Sequence, residues 1–130
     1  MADSCKTLVD AYVRWLRKNI STTDIAGVCE ITTPFLDRHN DHLQIYVRKE
    51  NGSLVLTDDA YVISDLRMSG CNLDTPRRQQ LLGSILAGFG VAVEGDELTT
   101  KAQTSDFPQK KHALIQAMLA VSDLFATASP

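Results

Sequence analysis

The sequence predicts a single α+β domain over residues 1–130, a small and mainly antiparallel sheet with three main helices in the order α-β-β-β-α-β-β-α. Three observations lead there. Three segments place apolar residues at helical spacing. Two turn dipeptides, Asn51-Gly52 and Gly95-Asp96, each separate a pair of short β-prone runs. No internal repeat or low-complexity linker divides the chain. With 130 residues, 44% of them hydrophobic and 22% charged, the chain is long enough to bury roughly two-thirds of its unfolded surface without metal or disulfide staples.

Asp3 or Ser4 is placed to cap a first helix whose stripe is Cys5, Leu8, Val9, Tyr12, Val13 and Leu16. That stripe, Tyr12 included, is expected to face the core. The basic pair Arg17 and Lys18 suits the negative end of the helix dipole. Residues 19–24 read as a polar connection. Residues 28–33 are β-prone, and Pro34 is expected to stop that strand because proline cannot donate to a ladder. Leu43, Ile45 and Val47 alternate with Gln44, Tyr46 and Arg48, the period of a strand with one buried face. Asn51-Gly52 then turns the chain into a strand over 54–57, since a type I′ turn needs two positive φ values. Tyr61, Val62 and Ile63 fit either a third short strand or the start of a short helix ending near Gly70.

Thr75-Pro76 opens the next helix, with a capping hydroxyl and a proline whose missing N–H costs nothing in the first turn. Leu81, Leu82, Ile85, Leu86 and Phe89 supply its buried face and Gly90 its end. Gly83 and Gly88 inside it imply close packing against a neighbour. A second hairpin joins Val91 and Val93 to residues 98–101. The last helix begins at 106–108, carries the stripe Leu114, Ala117, Met118, Val121 and Phe125, and frays over 127–130.

The charge balance, thirteen Lys and Arg against sixteen Asp and Glu for a net charge of -3, argues against a generally basic nucleic-acid binder. The first residues contain no basic start followed by an apolar run, and no stretch approaches the roughly 18 apolar residues of a membrane span. A cytoplasmic protein with no membrane contact is expected. Cys5, Cys29 and Cys71 are odd in number and form no Cys-x-x-Cys pair, so they read as three buried small side chains.

No nucleophile elbow or glycine-rich phosphate loop is present, which leaves two polar constellations. Residues 37–42 hold His39 and His42 between Asp37 and Asp41, ligand types for a transition metal. With only His112 elsewhere, the cluster reads instead as a turn organised by Asx side chains. The second is Asp58-Asp59, which with Asp41 and Asp65 can converge at one end of the sheet, as the acids of a metal-dependent nuclease do. A helix, three strands and a helix is also the order of the restriction-endonuclease-like core, but its acid-x-Lys element is missing, because residues 54–60 contain no basic side chain. No metal, cofactor or enzymatic activity is therefore expected.

Charge placement points to contact surfaces. Residues 24–65 carry eight acids against three bases. Arg77-Arg78 and Lys110-Lys111 fall in the first turns of two helices, where each cation opposes the dipole by about 0.3–1 kcal/mol, partly offset by Asp74 and Asp106. Misplaced cations suit an acidic or phosphate-bearing partner, and the acids Asp58 and Asp59 suit a basic one. Trp15, Tyr46 and Tyr61 are further candidates for contact, whereas Tyr12, on the core stripe, reads as structural.

Thr33-Pro34-Phe35-Leu36-Asp37, the run from Asn40 to Val47, Leu56-Thr57-Asp58-Asp59, Asp65-Leu66 and Ser69-Gly70 together resemble the bacterial and phage family named domain of unknown function 1828, over roughly residues 35–93. The family's pattern has glycine where this chain has Ala60. The resemblance implies a mobile-element setting and assigns no catalytic role. The expectation is a non-enzymatic module that binds an intracellular protein, such as an anti-CRISPR or anti-restriction inhibitor that occludes the surface of a bacterial defence nuclease. The alternatives are a degenerate or active metal-dependent nuclease and a small nucleic-acid-binding regulator, although direct nucleic-acid contact is not expected from the net charge.

Overall fold

The computed structural model describes residues 4–124. Asp3, Phe125 and the 127–130 tail lie outside them. The element order is α1 (Cys5–Lys18), β1 (Ser21–Ile25), β2 (Val28–Leu36), β3 (His42–Glu50), β4 (Ser53–Thr57), α2 (Tyr61–Met68), α3 (Pro76–Phe89), β5 (Ala92–Glu94), β6 (Glu97–Ala102) and α4 (Phe107–Ser122). The fold is α+β, with four helices rather than three and a six-stranded antiparallel sheet ordered β1-β2-β3-β4-β6-β5. No helix among the described residues is long and apolar enough to cross a membrane.

Local chemistry explains most of the elements. The Ser4 hydroxyl accepts from the Thr7 N–H at 3.1 Å and caps α1. Asn51 and Gly52 take φ of 51° and 79°, the paired positive values that let β3 turn directly into β4. Thr75 caps α3 with Pro76 behind it, and Gly90 ends the helix. α2 settles the open reading of residues 61–63 as a helix.

Five expectations are corrected. Residues 21–25, all but the last inside the stretch read as a polar connection, form β1, an edge strand exposed along its whole length, which pairs with β2 through a turn at Ala26-Gly27. Such a strand needs no apolar alternation. Pro34 does not stop β2: the strand runs to Leu36, and the register with β3 breaks between Thr32 and Leu36. At that break the buried Thr33 hydroxyl donates to the Leu43 carbonyl at 2.8 Å and accepts from Phe35 N–H at 3.3 Å, so a side chain supplies bonds the ladder lacks. Gly83 and Gly88 touch no neighbour where a Cβ would stand, and Leu81 points to solvent. Finally, no residue of α1 is buried.

The core lies between one face of the sheet and α2, α3 and α4. Leu43, Ile45, Leu56 and Leu98 meet Ile63, Leu66, Leu86, Leu114 and Met118 there. α4 runs through its middle, touching α2, α3 and the three strands β3, β4 and β6. Because α1 stays outside this core, Tyr12 is 55% exposed rather than structural. The cysteines divide for the same reason: Cys71 is buried, Cys29 half-buried and Cys5 exposed.

Candidate functional site

The open face of β3 meets the start of α2 at a cleft built by two turns. In the first, between β2 and β3, Asp37 Oδ1 accepts the N–H groups of His39 (2.8 Å) and Asp41 (3.0 Å), and its Oδ2 accepts the Tyr61 hydroxyl. Burial alone would raise the Asp37 pKa, but these donors hold it below its ordinary value. Burial and the Asp37 carboxylate together push the Tyr61 hydroxyl upward, so it stays a donor. The same turn is tied to α2 by Arg38 and His39, which bind the two Asp65 carboxylate oxygens at 3.2 and 2.9 Å. His42 instead bonds the Thr33 carbonyl. The two histidines thus have separate structural partners. Among the described residues no three His, Cys, Asp or Glu side chains group as metal ligands.

The second turn joins β4 to α2 and separates Asp58 from Asp59. Asp58 is fully buried. Its Oδ1 accepts from Ala60 N–H (2.9 Å) and Leu98 N–H (3.0 Å), and its Oδ2 from Val62 N–H (3.1 Å). Burial pushes its pKa up against those donors. Asp59 is exposed in a left-handed conformation with φ of 56°, followed by Ala60 at 63°. Two successive non-glycine residues there store strain of about 1–3 kcal/mol each. Glycine, which the resemblance leads one to expect at position 60, would carry no such strain. Ala60→Gly is expected to raise stability by about 0.5–1 kcal/mol, since glycine removes the steric penalty but gains unfolded-state entropy. Urea unfolding measures this, and a loss of stability would show that the turn is relaxed with alanine.

Tyr46 and Tyr61 line the cleft that results. Asp58 lines both of its lobes: the larger, about 330 Å³, also takes in Asp59, Ala60, Ser64, Asp65 and Met68, and the smaller, about 160 Å³, Asp41, His42 and Gln44. No lysine or arginine lines either lobe. The acids Asp41, Asp59 and Asp65 therefore converge around two aromatic rings. Burial and Glu30 raise the Tyr46 pKa, keeping its hydroxyl protonated, and it donates to Gln44 at 3.2 Å.

The basic pairs lie elsewhere. Arg77 is exposed in the first turn of α3, and Arg78 donates to the Asn72 carbonyl at 2.6 Å. Lys110 and Lys111 are half-buried on α4, where desolvation lowers the Lys111 pKa. The structural use of Arg67, which binds Asp74 at 2.9 Å and Asp96 at 3.0 Å, has no sequence signal, because its partners lie 7 and 29 residues away.

Comparison with curated proteins and with solved structures returns no match. A family model does match. It covers residues 33–121, from the buried Thr33 to the end of the core helix α4, and so takes in both turns of the cleft while leaving out α1 and β1. The chain therefore belongs to the family described as domain of unknown function DUF1828.

Proposed function

We propose that the protein is a non-enzymatic binding module whose cleft receives a lysine or arginine side chain from a basic protein surface. The observation that carries this reading is the composition of the cleft wall: two tyrosine rings with the acids Asp41 and Asp59 and no lysine or arginine lining it, while the third acid, Asp65, is already held by Arg38 and His39. A cation over a tyrosine face gains about 0.5–2 kcal/mol depending on desolvation, and its contacts to carboxylates are charge-assisted. The surrounding excess of acid over residues 24–65 would steer such a surface inward.

The narrower reading is inhibition of a host defence nuclease by occluding its basic channel. Its support is the mobile-element setting that the family resemblance implies, together with this acidic wall. Asp58 lines both lobes, but its carboxylate is taken up by backbone N–H groups, so its part is to fix the turn that presents Asp59. A nuclease reading would need Asp58 as a metal ligand, yet both its oxygens already accept backbone N–H groups.

Affinity capture from host lysate followed by calorimetry with the purified partner tests the proposal. Asp59→Lys is expected to weaken binding at least about tenfold by placing like charges together, with an unchanged thermal midpoint because Asp59 is exposed. Reversing Arg77 and Arg78 to Glu is expected to leave affinity unchanged. The opposite pattern would overturn the cleft in favour of the basic pairs.

A further inference from the structure

α1 is an amphipathic helix whose apolar face is uncovered. Leu8, Val9, Tyr12, Val13 and Trp15 are each more than half exposed, and Tyr12 stacks on Trp15 with ring centroids 6.2 Å apart. A helix of 14 residues without tertiary packing is marginal in water, so this face calls for a covering surface. Directly after it comes β1, an edge strand with no proline or bulge and a single charge, Asp24. Edge strands left so plain are templates for pairing.

We propose that two copies of the chain join antiparallel along β1 and exchange α1, each helix docking on the other copy. Centred on Thr23, this register sets Thr23 against Thr23, Thr22 against Asp24 and Ser21 against Ile25, so no like charges meet. Because α1 ends two residues before β1, antiparallel pairing delivers the helix of one copy to the Ile25 end of the other. At that end a cleft of about 540 Å³ opens, walled by the apolar Val28, Cys29, Val47 and Leu54 and by Asp24, Arg48 and Lys49, with Ile25 itself 52% exposed beside it.

Net charge disfavours the alternative of pairing the two helices with each other. Lys6, Arg14, Arg17 and Lys18 against Asp10 give α1 a charge of +3. The remaining nine bases and fifteen acids give -6. Helix against helix would bring +3 to +3, whereas the body of a second copy carries the opposite net charge, so the apolar face of α1 meets the apolar wall of the cleft while Asp24 stands beside Arg48 and Lys49. The five exposed apolar side chains present on the order of 500 Å² per copy. Mutual exchange thus covers on the order of 1,000 Å² of helix surface alone, the scale of a specific interface.

Sedimentation equilibrium and Trp15 emission, followed from about 0.1 to 100 µM, test the proposal. Trp15 is the only tryptophan and is half exposed. The expected result is a concentration-dependent rise from 14.3 kDa to twice that mass, with a shift of the emission to shorter wavelength. Thr23→Asp places two carboxylates across the symmetry axis and should weaken association at least about tenfold. Mixing Thr23→Asp with Thr23→Lys should restore it, a rescue that damage to the fold cannot produce. A mass of 14.3 kDa throughout, or a dimer indifferent to Thr23→Asp, would overturn the β1 interface. Emission unchanged through the association range would overturn the exchange of α1.

Discussion

Replacing Asp58 by alanine is expected to lower the stability of the fold by about 3–5 kcal/mol, the range for stripping the partner from a buried charged network. The carboxylate has no access to solvent and accepts from three backbone N–H groups. Two belong to the start of α2, and the third, on Leu98, belongs to β6. Alanine leaves all three N–H groups buried and without an acceptor. It also unfastens the junction where β4 leaves the sheet and α2 begins, where the Asp58 N–H already bonds the Leu98 carbonyl at 3.2 Å. Asparagine should cost less, about 2–3 kcal/mol, since its oxygen can serve Ala60 and Leu98 while its amide opposes the Val62 N–H. Chemical denaturation of the three proteins measures the series. If Asp58 were held for a partner instead, alanine would leave stability unchanged and remove binding alone.

The same residue shows where sequence reading stops. Asp58 and Asp59 are neighbours of one chemical type, and nothing in their spacing says that one carboxylate closes a turn while the other faces water. The division comes from Leu98, 40 residues on, whose N–H needs an acceptor. Features decided by local chemistry were legible: the Asn51-Gly52 turn, the alternation of Leu43, Ile45 and Val47, and the Thr75-Pro76 start of α3. β1 was not, because an exposed edge strand such as Ser-Thr-Thr-Asp-Ile has no buried face to print a period on the sequence. Pro34 misled because the rule that proline ends a strand assumes an unbroken ladder, and the Thr33 hydroxyl mends the break. Tyr46 and Tyr61 could be named from the sequence only as candidates for contact, and their meeting in one cleft depends on β3 and α2 being brought together.

A pair of leucine-to-alanine substitutions separates periodicity from burial. Leu8 on α1 and Leu66 on α2 both lie on apolar stripes of helical spacing, yet Leu66 is 0% exposed and Leu8 59%. Leu66→Ala is expected to cost about 2–5 kcal/mol, the combined loss of transfer free energy and of packing around the cavity it leaves. Leu8→Ala, measured at sub-micromolar concentration where single copies dominate, should stay within about 0.5 kcal/mol, because its side chain gains little burial and alanine is the better helix former. At high concentration the two proteins should behave differently again: Leu66→Ala keeps the same deficit, while Leu8→Ala loses the extra stability that association gives the parent chain. A hydrophobic period states only that a helix has a side to hide. Which surface hides it is set by the rest of the fold, and α2 has the sheet and α4 while α1 has neither. A loss of several kcal/mol from Leu8→Ala in the dilute protein would mean that α1 folds back onto its own sheet, and the exposed arm would have to be abandoned.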